Sequence, residues 1–157
     1  MAADITVQFA TTDHSVPAEK DILHWAGSAL ALDGGGGEVT IRITDEDEMQ
    51  SLNNKWRNID KPTNVLSFPL HDAGCPLLGD IVVCAPVVKR EAAQQAKPVN
   101  AHWAHMIIHG ILHLMGYDHS EEKEAENMEA KETALMLELG FPDPYFPGTT
   151  TSAAKPD

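Results

Sequence analysis

Cysteines and long apolar runs are scarce in this chain of 157 residues. The two cysteines, Cys75 and Cys84, are too few for a disulfide-rich secreted fold and lack the spacing of a zinc-binding cysteine pair. Apolar runs such as those at 106–108 and 81–83 fall far short of the ~20 residues of a membrane span. The N-terminal residues do not read as a signal peptide. We therefore expect a cytoplasmic protein with no membrane partner.

Basic residues are also few: 11 Lys and Arg stand against 24 Asp and Glu, which gives a net charge of −13. Proteins that bind nucleic acids usually carry a basic excess. Here the distribution matters, because Lys55, Arg57 and Lys61 lie within seven positions of one another. Acidic residues crowd a C-terminal stretch that contains Glu121, Glu122, Glu124, Glu126, Glu129 and Glu132. The charge pattern predicts a dipolar surface whose basic end can approach RNA.

The feature that bears most on chemistry is the sequence H-G-I-L-H-L-M-G-Y-D-H at 109–119. On a helix, His109 and His113 lie one turn apart on the same face, so two imidazoles can share one ion. In an unbroken helix the His119 side chain would point away from that ion. The helix must therefore end before residue 119 if His119 is to be the third ligand. Gly116 is suited to end the helix, since glycine adopts the left-handed conformation without a steric penalty. Three His ligands with an open fourth position are typical of catalytic zinc, so we predict one Zn²⁺ per chain.

Metzincin proteases share this spacing but carry a glutamate, the general base, directly after the first histidine. This chain has Gly110 there, and the loss of such a proton shuttle costs about 10²- to 10⁴-fold in rate. A phosphodiester is a better candidate substrate than a peptide, because a metal can neutralise a non-bridging oxygen and acidify water. His105 lies one turn before His109, but His105 and His113 are separated by about 12 Å along a helix, too far for one ion. We expect His105 to support the site or the structure.

The apolar periodicity predicts one domain over residues 1–146, with a disordered tail at 147–157. Strands and helices are expected in the order β-α-β-α-β-β-α-α-α, which indicates an α+β or mixed α/β sandwich around about four strands with about five helices. Thr44 is expected to cap the second helix, whose apolar face would carry Met49, Leu52 and Trp56. Ser120 is expected to cap the last long helix.

Three segments carry a resemblance to a known family. They are L-N-N-K-W-R at 52–57 with K-P-T-N-V-L-S-F-P at 61–69, L-G-D-I at 78–81, and the histidine segment at 109–119. In this order they resemble the YbeY family of bacterial rRNA maturation factors, also described as single-strand-specific metal-dependent endoribonucleases. The resemblance runs from about residue 5 to residue 146. Many members have aspartate where this chain has Asn64.

The resemblance implies an αβα fold of zincin-like shape with a sheet of mostly mixed strands. It also implies a zinc site formed by His109, His113 and His119, and a role in maturing the 3′ end of small-subunit (16S) rRNA. The partners it implies are single-stranded RNA and the ribosome or ribosomal proteins, with no DNA.

For the mechanism, our hypothesis is that Arg57 is a catalytic residue that clamps a phosphate oxygen. Lys55 and Lys61 would bind neighbouring phosphates, and Asp118 would orient a histidine or act as a base. Two alternatives stay open: a non-catalytic, zinc-stabilised ribosome assembly factor and, with less support, a zinc peptidase.

Overall fold

The strands and helices follow one another in the predicted order. The computed structural model describes residues 4–33, 37–70, 77–117 and 121–145. The strands are β1 (Asp4–Ala10), β2 (Glu38–Thr44), β3 (Val65–Pro69) and β4 (Leu77–Cys84). The helices are α1 (Glu19–Leu30), α2 (Glu46–Arg57), α3 (Ala85–Gln94), α4 (Val99–Leu114) and α5 (Glu122–Glu138). The predicted tail at 147–157 lies outside the described residues.

The described strands form one mixed sheet in the order β1-β2-β4-β3. β1 pairs parallel with β2, and β2 pairs parallel with β4. β3 pairs antiparallel with β4 and lies at the edge of the sheet. Antiparallel edge strands of this kind are common in α+β folds, because a short connection can join β3 directly to β4.

Helices cover both faces of the sheet, and the side-chain alternation of β4 shows how. Ile81 and Val83 belong to the larger hydrophobic cluster, which includes residues of α1, α4 and α5. Val82 and Cys84 point the other way, into a smaller cluster with Met49 of α2. Successive residues of a strand face opposite sides of a sheet, so each face buries its own core. The predicted α+β sandwich of αβα type is confirmed.

The central element is α4, which is apolar around most of its circumference. Its buried residues include Trp103, Ile107, Ile108 and Ile111, and such a helix must lie inside the protein rather than on its surface. It packs against the neighbouring helices α1, α3 and α5 and against β3 and β4. None of the helices within the described ranges is both long and apolar enough to cross a membrane.

Two of the predicted helix caps are wrong. Thr44 is the buried last residue of β2, and the N-cap of α2 is Asp45. The carboxylate of Asp45 accepts hydrogen bonds from Thr11 and Thr12, so its side chain ties two loops together and does not cap the helix. The N-cap of α5 is Glu121, one residue after the predicted cap, Ser120, which itself lies outside the described residues.

Trp56 does not join the apolar face predicted for α2. That helix buries only Met49 and Asn53, whereas the Trp56 side chain is 58% exposed. Trp56 lies in the last turn of the helix, where its ring meets that of Phe68 edge to face, with the two centroids 6.1 Å apart. The helical periodicity correctly placed Met49 in the core, but the core does not extend as far as the end of α2.

Candidate metal centre

Two of the three predicted ligands lie side by side on α4. The ring centroids of His109 and His113 are 4.7 Å apart, with the ring planes at 77°. Two imidazoles that bind one zinc ion through bonds of about 2.1 Å need their rings roughly this close together. The His109 side chain keeps 14% exposure, and His113 is also partly exposed. The pair is therefore compact and open to solvent, and imidazole nitrogens are donors of a kind that zinc accepts.

The turn after α4 has the geometry that the spacing requires. The helix ends at Leu114, and Gly116 has a φ of +100°. The backbone amide of Tyr117 donates to the carbonyl of Leu112 over 3.0 Å, which closes the helix end. The chain therefore leaves the helix before position 119. His119 and Asp118 lie outside the described residues, and within the described ranges no three candidate ligands cluster around a possible metal position.

A buried glutamate holds the first of these histidines. Glu132 of α5 has no exposed surface, and its Oε2 lies 2.6 Å from Nδ1 of His109. A carboxylate only accepts hydrogen bonds, so Nδ1 of His109 carries the proton and donates it. This tautomer leaves Nε2 with the lone pair that a metal needs. Glu132 thus fixes both the orientation and the tautomer of His109.

The same carboxylate accepts two further hydrogen bonds. Nε2 of His105 donates to Oε1 of Glu132 over 2.8 Å, and the hydroxyl of Tyr145 donates to the same oxygen. Burial disfavours the charged carboxylate and would raise its pKa. The hydrogen bonds from His105 and His109 outweigh this effect and lower the pKa of Glu132 to about 2. A fixed negative charge therefore lies directly behind His109.

His105 lies deeper in the protein than the histidine pair. Its side chain is 2% exposed, and burial lowers the pKa of its imidazole, which favours the neutral ring. Because Nε2 donates to Glu132, Nδ1 is the unprotonated nitrogen, and it has no hydrogen-bond partner among the described residues. His105 therefore contacts the same buried glutamate as His109.

A second buried histidine connects α4 to α3 and β3. Nε2 of His102 lies 2.9 Å from Oε1 of Glu91, and the amide of Asn64 donates to the same oxygen over 3.1 Å. Burial would raise the pKa of Glu91, but the hydrogen bonds from His102 and Asn64 lower it. An amide suits this position because it donates to Glu91, whereas an aspartate at position 64 would face a second carboxylate.

Gly110 lies on the face of α4 that packs against β3 and β4. A Cβ atom at this position would lie 3.2 Å from methyl groups of both Val65 and Ile81. The hydroxyl of Ser67 donates to the Gly110 carbonyl over 3.0 Å, which fastens β3 to the helix. The glutamate that metzincins have here would start between two packed strands. Close packing therefore accounts for glycine at this position.

The basic segment lies on the other side of the edge strand. Lys55, Arg57 and Lys61 are all exposed, and α2 packs on the sheet face opposite α4. The structure does not bring these side chains into contact with the histidines. Neighbouring residues of β3 nevertheless reach both elements, since Ser67 bonds to α4 while Phe68 touches Trp56 of α2. The basic segment and the histidine helix thus flank the same strand.

Comparison with known proteins agrees with this arrangement. The family model described as Endoribonuclease YbeY matches residues 6–140, which include β3, β4 and the His109–His113 pair. The chain belongs to the YbeY family. The resemblance inferred from the three sequence segments is therefore confirmed.

Individual YbeY relatives match nearly the whole chain. An Endoribonuclease YbeY of Nitrosococcus oceani is 46% identical over 150 residues, which cover 92% of this chain and 98% of the relative. An Endoribonuclease YbeY of Stutzerimonas stutzeri is 52% identical over 146 residues, which cover 90% of this chain and 91% of the relative. The solution structure of TM1509 from Thermotoga maritima has a TM-score of 0.59 at 25% identity and covers 86% of this chain and 92% of that one. The fold is thus shared with a solved structure.

The residue of this YbeY site that the sequence analysis missed is Glu132. Sequence reasoning groups it with the acidic residues of the C-terminal stretch and assigns it no separate role. One signal could have revealed it, because it lies four residues after Met128 and four before Met136, both buried in α5. A glutamate in the middle of an apolar stripe is expected to have a buried partner.

Proposed function

We propose that this protein is a zinc-dependent, single-strand-specific endoribonuclease that matures the 3′ end of small-subunit (16S) rRNA and acts in rRNA quality control. The observation that carries the proposal is the His109–His113 pair, one ring of which is held by the buried carboxylate of Glu132. Relatives named as endoribonucleases support nuclease chemistry. The proposed location is the cytoplasm, with the ribosome or ribosomal proteins as partners.

His109, His113 and His119 would hold one zinc ion. Zinc would supply a Lewis acid that acidifies water and offsets the charge of a phosphate. The guanidinium of Arg57 would bind a phosphate oxygen through two N–H groups as charge develops on it. Lys55 and Lys61 would bind neighbouring phosphates, and Asp118 would orient a histidine. The exposed side chains of the basic segment are accessible to an RNA strand that follows the edge of the sheet.

A peptidase reaction has less support. Peptide hydrolysis needs a group that protonates a poor amine leaving group, which in the metzincins is the glutamate after the first histidine. The corresponding residue here is Gly110, and a side chain added at this position would contact Val65 and Ile81. A glutamate at this position would press on side-chain methyl groups of both strands.

The test is a substrate panel with one preparation of the full chain, before and after removal of the metal and after zinc is restored. Unstructured RNA, duplex RNA and single-stranded DNA of matched sequence are compared with casein. We expect cleavage of unstructured RNA alone, lost from the stripped aliquot and regained with zinc. RNA cleavage that continues at the same rate in the stripped aliquot would contradict the proposed zinc dependence. Casein cleavage would indicate a peptidase, and no activity would favour an assembly factor.

A further inference from the structure

Trp56 is an aromatic side chain that the fold leaves in solvent. The chain has three tryptophans. Trp25 is 6% exposed and Trp103 is fully buried, whereas Trp56 is 58% exposed. A tryptophan outside the core leaves a large apolar surface in contact with water, which is unfavourable. Exposed aromatic side chains are therefore a frequent sign of a binding surface.

The surroundings of Trp56 combine aromatic and basic groups. Its ring meets the edge of Phe68 with the planes at 69°, which holds the indole against β3. Nζ of Lys55 lies 5.2 Å from the centroid of the indole ring. Arg57 and Lys61 follow Trp56 along the chain, and both are exposed. We call these five residues the Trp56 surface.

Charge indicates which partner the Trp56 surface fits. The chain as a whole has a net charge of −13, yet the Trp56 surface holds three of its 11 Lys and Arg residues. A polyanion is therefore repelled from most of the protein and attracted here. Flat aromatic faces next to cations are how proteins bind single-stranded nucleic acids, because unpaired bases stack on the rings while the cations bind phosphates. A duplex keeps its bases stacked inside and cannot use the indole in this way.

We propose that Trp56 stacks on an unpaired base of the RNA substrate, with Lys55 and Lys61 on the adjoining phosphates. The inference rests on the proposed function and adds a residue that would make the enzyme select single strands. The position is suitable, because Phe68 beneath the indole is next to Ser67, which bonds to α4 at Gly110. A strand that crosses the edge of β3 would pass from the Trp56 surface towards the histidine pair.

Tryptophan fluorescence measures this contact directly. The zinc-loaded full chain is mixed in a stopped-flow instrument with 12-nucleotide oligoadenylate, oligouridylate or a duplex RNA, and emission is recorded before cleavage proceeds. Stacking quenches an indole, and only Trp56 among the three tryptophans is exposed. We expect quenching by the single strands and little by the duplex, and we expect the signal to vanish in Trp56→Phe.

Steady-state cleavage of the same single strands provides the second readout. Trp56→Ala should raise KM by about 10-fold or more, the usual effect of losing one stacked base, with kcat nearly unchanged. Trp56→Phe keeps a flat ring and should recover most of the affinity. The matched control is Leu137→Ala, which truncates an apolar side chain of α5 with 56% exposure and should leave KM unchanged.

The outcomes separate this inference from the proposed function. RNA cleavage with neither quenching nor a change of KM in Trp56→Ala would overturn the stacking role and leave the nuclease intact. A surface of that kind would then serve a protein partner. Quenching by single strands without any cleavage would support the Trp56 surface and contradict the nuclease.

Discussion

Glu132 of α5 and His109 of α4 are joined by a hydrogen bond of 2.6 Å between Oε2 and Nδ1. The two residues are 23 positions apart in the sequence, so the bond depends on how the last helix packs against the central one. Its consequence is local: His109 has one tautomer and one orientation. The acidic C-terminal helix therefore contributes directly to the candidate metal centre, although most of its other charged residues are exposed.

Glu132→Gln should weaken zinc binding by about 10- to 100-fold, the usual effect of losing a carboxylate that orients a histidine ligand. Glutamine is isosteric, but its amide has one acceptor oxygen, and its NH₂ group would face histidine donors. Zinc affinity is measured by competition with a chromogenic chelator. The control is Glu126→Gln, an exposed glutamate of the same helix.

The melting temperature of the metal-free variant distinguishes positioning from mere stability. A purely structural role for Glu132 would lower the melting temperature of the metal-free protein and leave zinc affinity unchanged. Equal zinc affinity in Glu132→Gln and the wild type would show that the bond to His109 does not orient a ligand.

Gly110→Glu should destabilise the fold and should not create a protease. The new Cβ would lie 3.2 Å from methyl groups of Val65 and Ile81, and a carboxylate would be forced in between the helix and the sheet. Overpacking and an unpaired buried charge together cost about 3 kcal/mol or more in the free energy of unfolding. Urea denaturation measures this loss.

The matched control is Gly27→Glu in α1, where nothing lies within 4 Å of the added Cβ. We expect the free energy of unfolding of that variant to stay within about 1 kcal/mol of the wild type. If both variants have the same stability, the close approach of α4 to the sheet is not what requires glycine at position 110.

The sequence predicted the element order and the histidine pair because both depend on local spacing. Apolar residues at every second position mark Val39, Ile41 and Ile43 as one face of a strand. A spacing of four residues on a helix places His109 beside His113. Glu132 was missed because its partners come from another helix, and most of its neighbours on α5 are solvated glutamates. The Trp56 prediction was wrong for a related reason, since periodicity identifies a face of α2 but not where the core beneath it ends.

Arg57→Glu should abolish RNA cleavage while zinc stoichiometry stays at that of the wild type. The side chain is exposed at the end of α2, so its replacement leaves the core and the histidine pair intact. Reversal of its charge would repel the phosphate that it is proposed to bind. Cleavage rates are measured on unstructured RNA, with metal content determined on the same samples.

Lys20→Glu makes the same change in net charge at an exposed position of α1. It should lower RNA affinity only slightly, through the weaker overall attraction. Full activity in Arg57→Glu would remove Arg57 from the mechanism, and an equal loss in Lys20→Glu would reduce its role to general electrostatics.

The central claim is that one metal ion, held by the histidines of α4, is needed to cut RNA. It is tested most directly by measuring bound zinc and RNA cleavage together in His113→Ala, with His24→Ala, an exposed histidine of α1, as the matched control. The account predicts that His113→Ala loses both bound zinc and cleavage, while His24→Ala keeps one zinc per chain and the wild-type rate. RNA cleavage at the wild-type rate in zinc-free His113→Ala would contradict it.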